Sequence, residues 1–246
     1  MRVQYDITTK CNLSCEICYI DGEEGSITAE KIAADLKTHP SDAVINIGGG
    51  EPFQHPELEE IIRNVLGHGN KIQIATNATD VPDWFYLLPE KDKVVVQASL
   101  LAATREKYVE ICGKDCFEDA ISNIKKISES YSVFINTPLY KGNIEEVQGL
   151  IRLSQSLDIP IHFSLVIPKG RAKNVQLLDR DDIERLRSFL YPYIAVFDIS
   201  ANFMTEVTHC PILALHYPLI YSGNCNHNSL YIGPNNEVRK CVFGGV

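Results

Sequence analysis

Three cysteines near the start of the chain offer the most informative chemistry. Cys11, Cys15 and Cys18 stand in the run CNLSCEIC. Their spacing suits a structural disulfide poorly, because the closed loop would be very short and one thiol would remain unpaired. A zinc site usually needs a fourth Cys or His at a finger-like spacing, and none follows nearby. A 4Fe-4S cluster fits the spacing, because three Cys ligands leave one of its irons open to a substrate or cofactor. The alternative is a redox-active Cys-x-x-Cys pair with one additional Cys.

The composition excludes several classes of protein. The 246 residues suffice for one sizeable catalytic domain with at most a small appendage. With 23 basic and 32 acidic side chains, the net charge of −9 leaves no excess of cations for a phosphate backbone, so we expect no nucleic-acid partner. No apolar run approaches a membrane span and no signal peptide is visible, so we expect a cytoplasmic protein with no membrane partner. In that reducing compartment, eight Cys indicate metal or redox chemistry rather than disulfides.

A repeated strand-helix pattern must position these cysteines. Strands linked by single crossover helices pair in parallel and with a right-handed crossover. The repeated units reach about Leu190, short of the eight units of a complete barrel, so we predict an α/β fold with a partial (β/α)6 barrel of the TIM type. The cysteines would then lie in the first strand-to-helix loop, at the face where barrel enzymes build their sites. The predicted strands are Val3 to Thr8, Ala43 to Ile47, Ile72 to Thr76, Val94 to Ala98, Val133 to Thr137 and Ile161 to Ile167, and the apolar stripes of the predicted helices begin at Ala29, Leu58, Phe117, Val147 and Ile183.

The last fifty residues read differently from the rest. From Tyr191 onward the helical period fades, and the run SLYIGPNNEVRKCVF predicts a β-hairpin that turns at Asn235 and Asn236. We place a domain boundary near Ile199. Residues 1–199 would form the barrel, and residues 200–246 a short C-terminal β-hairpin region that carries a further group of cysteines.

The first cysteine motif has a known counterpart. Cys-x3-Cys-x2-Cys followed by an aromatic residue, here Tyr19, resembles the hallmark of the radical S-adenosylmethionine superfamily. The resemblance covers essentially the whole chain. It implies a 4Fe-4S cluster whose open iron is chelated by the amino and carboxylate groups of S-adenosylmethionine. One electron, from a reductant such as flavodoxin or ferredoxin, then cleaves the S–C5′ bond, and the 5′-deoxyadenosyl radical removes a hydrogen atom from the substrate.

Further residues at strand ends support this resemblance. Gly49, Gly50 and Glu51 end the second strand and match the family's Gly-Gly-Glu-Pro element, which contacts the methionyl amine. Asn77 stands where relatives have Thr-Asn-Gly at the end of the third strand. Ser99 ends the fourth strand, where many relatives have a Ser near the ribose and methionine of the cofactor. Taken singly, polar residues at strand ends more often cap or satisfy a loop.

The C-terminal cysteines resemble part of a second family element. Cys225 and Cys241 bracket the predicted hairpin in the manner of a SPASM or twitch extension, with Asn236 in place of the usual Gly, a substitution that tolerates the left-handed backbone of such a turn. Cys210 matches an upstream ligand of relatives. The resemblance implies one auxiliary Fe-S cluster held by these three cysteines. Three unrelated thiols, or a zinc site completed by a nearby histidine, are the alternatives.

The substrate class rests on weaker patterns. The segment Pro168–Ala172, PKGRA, resembles the Pro-x-Gly-Arg-Ala of a peptide- and carbohydrate-modifying branch, although an ordinary exposed turn would look the same. We therefore expect a peptide or protein substrate. The absence of a leader-binding domain before Val3 is an argument against this expectation. The alternatives are dehydrogenation or epimerisation of a sugar or aminocyclitol, another small-molecule substrate, and, outside enzymes, an Fe-S electron carrier.

Two more cysteines mark a departure from the family pattern. Cys112 precedes Gly113 where many relatives read Arg-Gly, and Cys116 stands where a Ser often precedes the Phe. Either thiol could donate a hydrogen atom to a substrate radical at the mouth of the barrel. The alternative is a small, buried apolar side chain.

Overall fold

Strands that alternate with helices form the frame of the protein. The computed structural model describes residues 1–20, 24–194, 199–201, 207–208, 221–222 and 229–239. The alternating strands are β1 (Arg2–Thr8), β2 (Val44–Gly49), β3 (Lys71–Thr76), β4 (Val94–Ser99), β5 (Ser132–Leu139), β6 (Ile161–Leu165) and β7 (Ile199–Ala201). The helices are α1 (Ala29–Leu36), α2 (Leu58–Gly67), α3 (Arg105–Cys112), α4 (Phe117–Ser128), α5 (Val147–Leu157) and α6 (Arg180–Ile194).

Pairing in the sheet follows the order of the chain. Each strand from β1 to β7 pairs in parallel with the next. Two strands form a separate parallel pair, β8 (Val207–Thr208) and β9 (Tyr221–Ser222). The main sheet continues on the other side of β1 with β10 (Ser229–Ile232) and then β11 (Val238–Arg239). Within the described residues the two ends of the sheet, β11 and β7, do not pair, so the barrel is open. The predicted α/β fold with a partial TIM-type barrel is confirmed.

Side chains alternate between two environments along the strands. Ile45 of β2 and Ile72 of β3 are fully buried in the core, together with Ile32 of α1 and Ile61 of α2. Residues between them in the strands, such as Asn46, are only half-buried because they face the other side of the sheet, toward the barrel interior. The helices therefore cover one face of the sheet with apolar side chains and leave the inner face available for a site.

Helix α3 and strands β7, β8 and β9 were not predicted from the sequence. Helix α3 follows β4, and its run REKYVEIC buries only Tyr108, Ile111 and Cys112, too few apolar residues for a recognisable stripe. It ends at Gly113, whose φ of 72° requires the left-handed backbone that favours glycine. Strand β7 adds a parallel strand beyond the six predicted, and the proposed boundary near Ile199 falls at its first residue.

The predicted C-terminal hairpin is present. Strand β11 runs antiparallel to β10, and Asn236 between them has a φ of 63°. Because β10 pairs in parallel with β1, this hairpin extends the barrel sheet. The division into residues 1–199 and 200–246 remains a prediction, and Cys210, Cys225 and Cys241 lie outside the described residues. None of the helices described combines the length and apolar character needed to cross a membrane.

Candidate active site

A cavity of about 300 Å³ lies at the inner face of the barrel, beside the carboxyl ends of the strands. All three cysteines of the first motif line it, and so do five of the six predicted cofactor-binding residues. The contributing residues come from strands β1 to β5 and from the loops that follow β1 to β4. The predicted residues that line it are Cys11, Cys15, Cys18, Tyr19, Gly49, Gly50, Asn77 and Ser99.

Backbone hydrogen bonds fix the loop of residues 9–20, which we call the cluster loop. On one side the Glu51 amide donates to the Lys10 carbonyl over 2.8 Å, and just before the loop the Gly50 amide donates to the carbonyl of Thr8 in β1 over 2.7 Å. On the other side, the Ser14 amide donates to the Cys112 carbonyl at the end of α3 over 3.1 Å. The loop is thus held between β2 and α3, which limits the movement of its thiols.

The PKGRA segment also braces this loop. The Arg171 amide donates to the Cys18 carbonyl over 2.9 Å, and its Nε donates to the Cys15 carbonyl over 2.8 Å. Gly170 has a φ of 61°, and a Cβ there would lie 2.6 Å from the Cys18 carbonyl oxygen. The segment is therefore more than an ordinary exposed turn, because its backbone and its arginine contact the residues that carry two of the thiols.

The three thiols differ in their surroundings. Cys11 is exposed at the cavity, yet desolvation by the protein around it raises the pKa of its thiol to about 11. Burial also raises the pKa of Cys18, whereas the neighbouring Cys112 thiol donates to Cys15 and lowers the pKa of Cys15. In the metal-free chain Cys11 and Cys18 are therefore protonated near neutral pH, and metal binding must displace their protons.

The donor set fits a cluster better than a single ion. Within the part of the chain that the structure describes, no three His, Cys, Asp or Glu side chains are grouped closely enough to hold one metal ion. The three thiols nonetheless face one cavity, as ligands for three separate irons of a cubane would. This arrangement agrees with a 4Fe-4S cluster that leaves one iron open.

The glycines at the end of β2 are needed for contact with the cluster loop. A Cβ on Gly50 would lie 2.1 Å from the Lys10 carbonyl oxygen, and a Cβ on Gly49 would lie 2.4 Å from that of Thr8. These glycines therefore allow the end of β2 to approach protein backbone closely. Their second role, toward a ligand in the cavity, remains a prediction.

Glu51 occupies a different position from its neighbours, because its carboxylate is buried outside the cavity lining. Oε1 accepts hydrogen bonds from the Thr76 hydroxyl at 2.7 Å and the Phe53 amide at 3.0 Å, and Oε2 accepts one from the Asn77 amide at 2.7 Å. Burial raises the pKa of this carboxyl to about 7, and the three hydrogen bonds oppose the shift. In this structure Glu51 joins the end of β2 to the end of β3, and a contact with the cofactor remains a prediction.

Asn77 belongs to a polar network beside Cys11. Its Nδ2 donates to Asn12 Oδ1 over 2.9 Å, and its Oδ1 accepts from the Thr79 hydroxyl over 2.8 Å. Asn12 in turn donates to the Thr79 hydroxyl over 2.8 Å. These bonds orient the amide at the cavity wall, where Ser99 also lies, one strand away.

Tyr19 connects the cluster loop to the C-terminal hairpin. Its hydroxyl donates to Asp6 Oδ2 over 3.1 Å, and the hydroxyl of Tyr231 in β10 donates to the same oxygen over 3.1 Å. Gln4 donates to Asp6 Oδ1 over 2.9 Å. Asp6 is fully buried, and burial raises the pKa of its carboxyl, while the three hydrogen bonds lower it.

The structure places Cys112 and Cys116 away from the cavity. Both side chains are buried, and neither lines the cavity wall. Cys112 lies behind the cluster loop, next to Cys15, and Cys116 precedes α4. This position favours the alternative of small buried side chains over hydrogen-atom donors.

Sequence reasoning missed a set of carboxamides in the cavity. They interrupt strands that otherwise read as apolar, and buried parallel strands normally form near-continuous apolar runs. An isolated amide at an inward position of such a strand was the available signal. The residues are Gln4, Asn46, Gln73, Gln97 and Asn136, one on each strand from β1 to β5.

Solved structures with a similar fold include peptide-bound proteins. The structure of Streptococcus suis SuiB bound to the precursor peptide SuiA matches with a TM-score of 0.79 at 17% identity, and covers 98% of this chain and 59% of SuiB. The structure of anSMEcpe with bound AdoMet and the Cp18Cys peptide matches with a TM-score of 0.72 at 15% identity, and covers 99% of this chain and 74% of that protein. At these identities the likeness establishes the fold.

Relatives by sequence carry other activities. The chain is 29% identical over 193 residues to a probable GTP 3′,8-cyclase of Saccharolobus islandicus, across 75% of this chain and 62% of the relative. It is 27% identical over 200 residues to an AdoMet-dependent heme synthase of Methanosarcina barkeri, across 77% of this chain and 57% of the relative. The chain thus spans less than two thirds of the length of these relatives. Residues 5–154, more than half of the chain, match the model of the Radical SAM superfamily, and the chain belongs to that superfamily of enzymes.

Proposed function

We propose that this radical S-adenosylmethionine enzyme cleaves its cofactor reductively and removes a hydrogen atom from a peptide or protein substrate. The observation that carries the proposal is the convergence of Cys11, Cys15 and Cys18 on one cavity at the strand ends. These thiols would hold three irons of a 4Fe-4S cluster. When bound, the cluster and S-adenosylmethionine supply a 5′-deoxyadenosyl radical.

The protein's own residues would position and shield this chemistry. The hydrogen bonds of Glu51 and Arg171 fix the cluster loop, which keeps the three thiols at the cavity. Asn77 and Ser99 present polar groups to a ligand at the strand ends, while Leu13 and Ile17 supply apolar wall that limits access of water. The electron would come from a partner protein such as a flavodoxin or ferredoxin.

Two observations support a peptide substrate. SuiB and anSMEcpe, whose folds this chain shares, have been solved with bound peptides. The Gly170 and Arg171 segment, which resembles an element of a peptide- and carbohydrate-modifying branch of the family, contacts the cluster loop directly. We propose in addition that Cys210, Cys225 and Cys241 bind an auxiliary Fe-S cluster of the SPASM or twitch kind. A sugar or aminocyclitol substrate is the alternative.

A nucleotide substrate is a second candidate, because sequence relatives include probable GTP 3′,8-cyclases. A triphosphate needs cations, and in proteins these are usually Arg or Lys. Among the described residues that line the cavity there is neither. We therefore place the nucleotide second.

The first experiment tests cofactor cleavage. The anaerobically reconstituted chain with dithionite should convert S-adenosylmethionine to 5′-deoxyadenosine and methionine. The triple variant Cys11→Ala, Cys15→Ala, Cys18→Ala should lose this activity, whereas Cys116→Ala, which removes a thiol away from the cavity, should retain it. Undiminished 5′-deoxyadenosine from the triple variant would refute the proposal.

The second experiment tests the substrate class. Extract from cells grown in deuterated medium is separated into a peptide and protein pool and a small-molecule pool, and each is supplied to the enzyme. Deuterium in 5′-deoxyadenosine should come from the peptide and protein pool, because the radical takes its hydrogen from substrate carbon. Deuterium transfer from the small-molecule pool alone would exclude a peptide substrate.

A further inference from the structure

Five carboxamides form a band along the inner wall of the cavity. Gln4, Asn46 and Gln73 lie side by side, because Gln4 is in register with Asn46 and Asn46 with Gln73. Gln97 of β4 is in register with Ala75, two residues further along β3, and Asn136 of β5 is in register with Ser99. The band thus crosses five neighbouring strands obliquely: on β1 to β3 it lies deeper in the barrel than Gly49 and Asn77, and at Asn136 it reaches the level of the strand ends.

Part of the hydrogen-bonding capacity of this band is unused. Gln73 Nε2 donates to Gln97 Oε1 over 2.9 Å, which fixes both amides. The Oδ1 atom of Asn46 is buried and has no hydrogen-bond partner among the described residues. A buried acceptor without a donor is unfavourable, and native proteins seldom retain one unless a ligand or water satisfies it. Asn46 therefore has acceptor capacity left for a water or a ligand donor at the cavity wall.

In the cavity lining that the structure describes, the amide band has no charged side chain beside it. Among the described residues that line the cavity there is no Asp, Glu, Lys or Arg. The nearest carboxylate on β1, Asp6, is fully buried and already accepts hydrogen bonds from Gln4, Tyr19 and Tyr231. A charged group placed against the amides would lose its water without gaining a counter-ion, which disfavours its entry.

We propose that the part of the substrate that enters the barrel is uncharged and carries groups that both donate and accept hydrogen bonds, with any charged group left outside. Carboxamides suit such a ligand because each presents a donor and an acceptor. Peptide amides and sugar hydroxyls share this chemistry. The inference rests on the proposed function, in that it takes the cavity to be the substrate site, but it concerns charge and not the substrate's class.

Matched pairs of ligands test the charge preference. Binding to the reconstituted chain with S-adenosylmethionine and no reductant is measured by saturation-transfer NMR. The probes are acetyl-Ala-Ala-Gln-Ala-Ala-amide against its Glu counterpart, guanosine against GTP, and myo-inositol. We expect at least one neutral probe, the Gln peptide or inositol, to bind. The Gln peptide should bind about tenfold more tightly than the Glu peptide, a difference of about 1.4 kcal/mol, and the triphosphate should bring no gain over guanosine.

Variants connect the preference to the amides. Gln97→Leu should weaken binding of the neutral probe about tenfold, whereas Gln155→Leu, the same change at an exposed position of α5, should leave it unaltered. Gln97→Lys should reverse the preference between the Gln and Glu peptides. If a Gln97 variant fails to fold, the comparison of ligand pairs on the unmodified chain still decides the question.

The outcomes separate this inference from the proposed function. Binding of inositol in place of the peptide, with the same dependence on Gln97, would support an uncharged ligand and contradict a peptide substrate. Equal binding of the Gln and Glu peptides, GTP binding about tenfold tighter than guanosine, or no binding of either neutral probe would overturn the inference. Loss of cofactor cleavage bears only on the proposed function.

Discussion

Replacement of Gly50 by Ala should loosen the cluster loop. A Cβ at this position would lie 2.1 Å from the carbonyl oxygen of Lys10 and 2.8 Å from that of Thr9. Both are backbone atoms, so the strain cannot be relieved by a side-chain rotation, and β2 must move away from the loop. That movement breaks the hydrogen bonds from the amides of Gly50 and Glu51 to Thr8 and Lys10.

The expected cost follows from these contacts. Two hydrogen bonds contribute about 1 kcal/mol each, and the forced displacement costs about 1–3 kcal/mol more. Gly50→Ala should therefore lower the free energy of unfolding by about 3–5 kcal/mol, or Tm by roughly 10 °C for a chain of this size. Because the displaced loop carries the thiols, iron retained after anaerobic desalting should fall as well.

The assay compares two glycine variants. Thermal unfolding by circular dichroism and iron content are measured for Gly50→Ala and Gly67→Ala. A Cβ on Gly67, at the end of α2, meets no atom within 4 Å, so Gly67→Ala should change stability by less than about 1 kcal/mol and in the stabilising direction. Equal stability and iron content of the two variants would refute the argument that β2 and the cluster loop require this close contact.

Three further changes give distinct outcomes. The folded-state pKa of Glu51 is raised to about 7, so the stability linked to protonation of this carboxyl is fully present below its unfolded value near 4.5 and is lost as the pH rises through 7. Relative to Glu51→Gln, the metal-free chain should therefore lose about 2–3 kcal/mol of unfolding free energy between pH 5 and pH 8. Urea denaturation at the two pH values measures this loss. A pH-independent difference between the two proteins would contradict this. The reconstituted chain should bind about eight irons if two cubanes form and about four after Cys225→Ala with Cys241→Ala, whereas about four in both would show that no auxiliary cluster forms. Cys112→Ala and Cys116→Ala should each yield the same product as the unmodified enzyme, as determined by mass spectrometry, and an altered product from either would restore the hydrogen-donor hypothesis.

Local patterns in the sequence were enough for the main architecture. Alternating apolar runs and helical stripes predicted the parallel α/β sheet, because the faces that an element buries are set by residues close together in the chain. The same reasoning located the cysteines in the first loop and the turn at Asn236. It failed for α3, where packing against the rest of the fold replaces a strong apolar stripe.

The tertiary structure decided which groups meet. Tyr231 and Asp6 are 225 residues apart in sequence and share a hydrogen bond because β10 pairs beside β1. The carboxylate of Glu51 faces Thr76 and Asn77, and Gly170 packs on Cys18, only because the ends of parallel strands converge on one face. Single amides on five separate strands line one cavity because strand register brings them to the same face. Register depends on contacts between distant segments, so it cannot be read from any one segment alone.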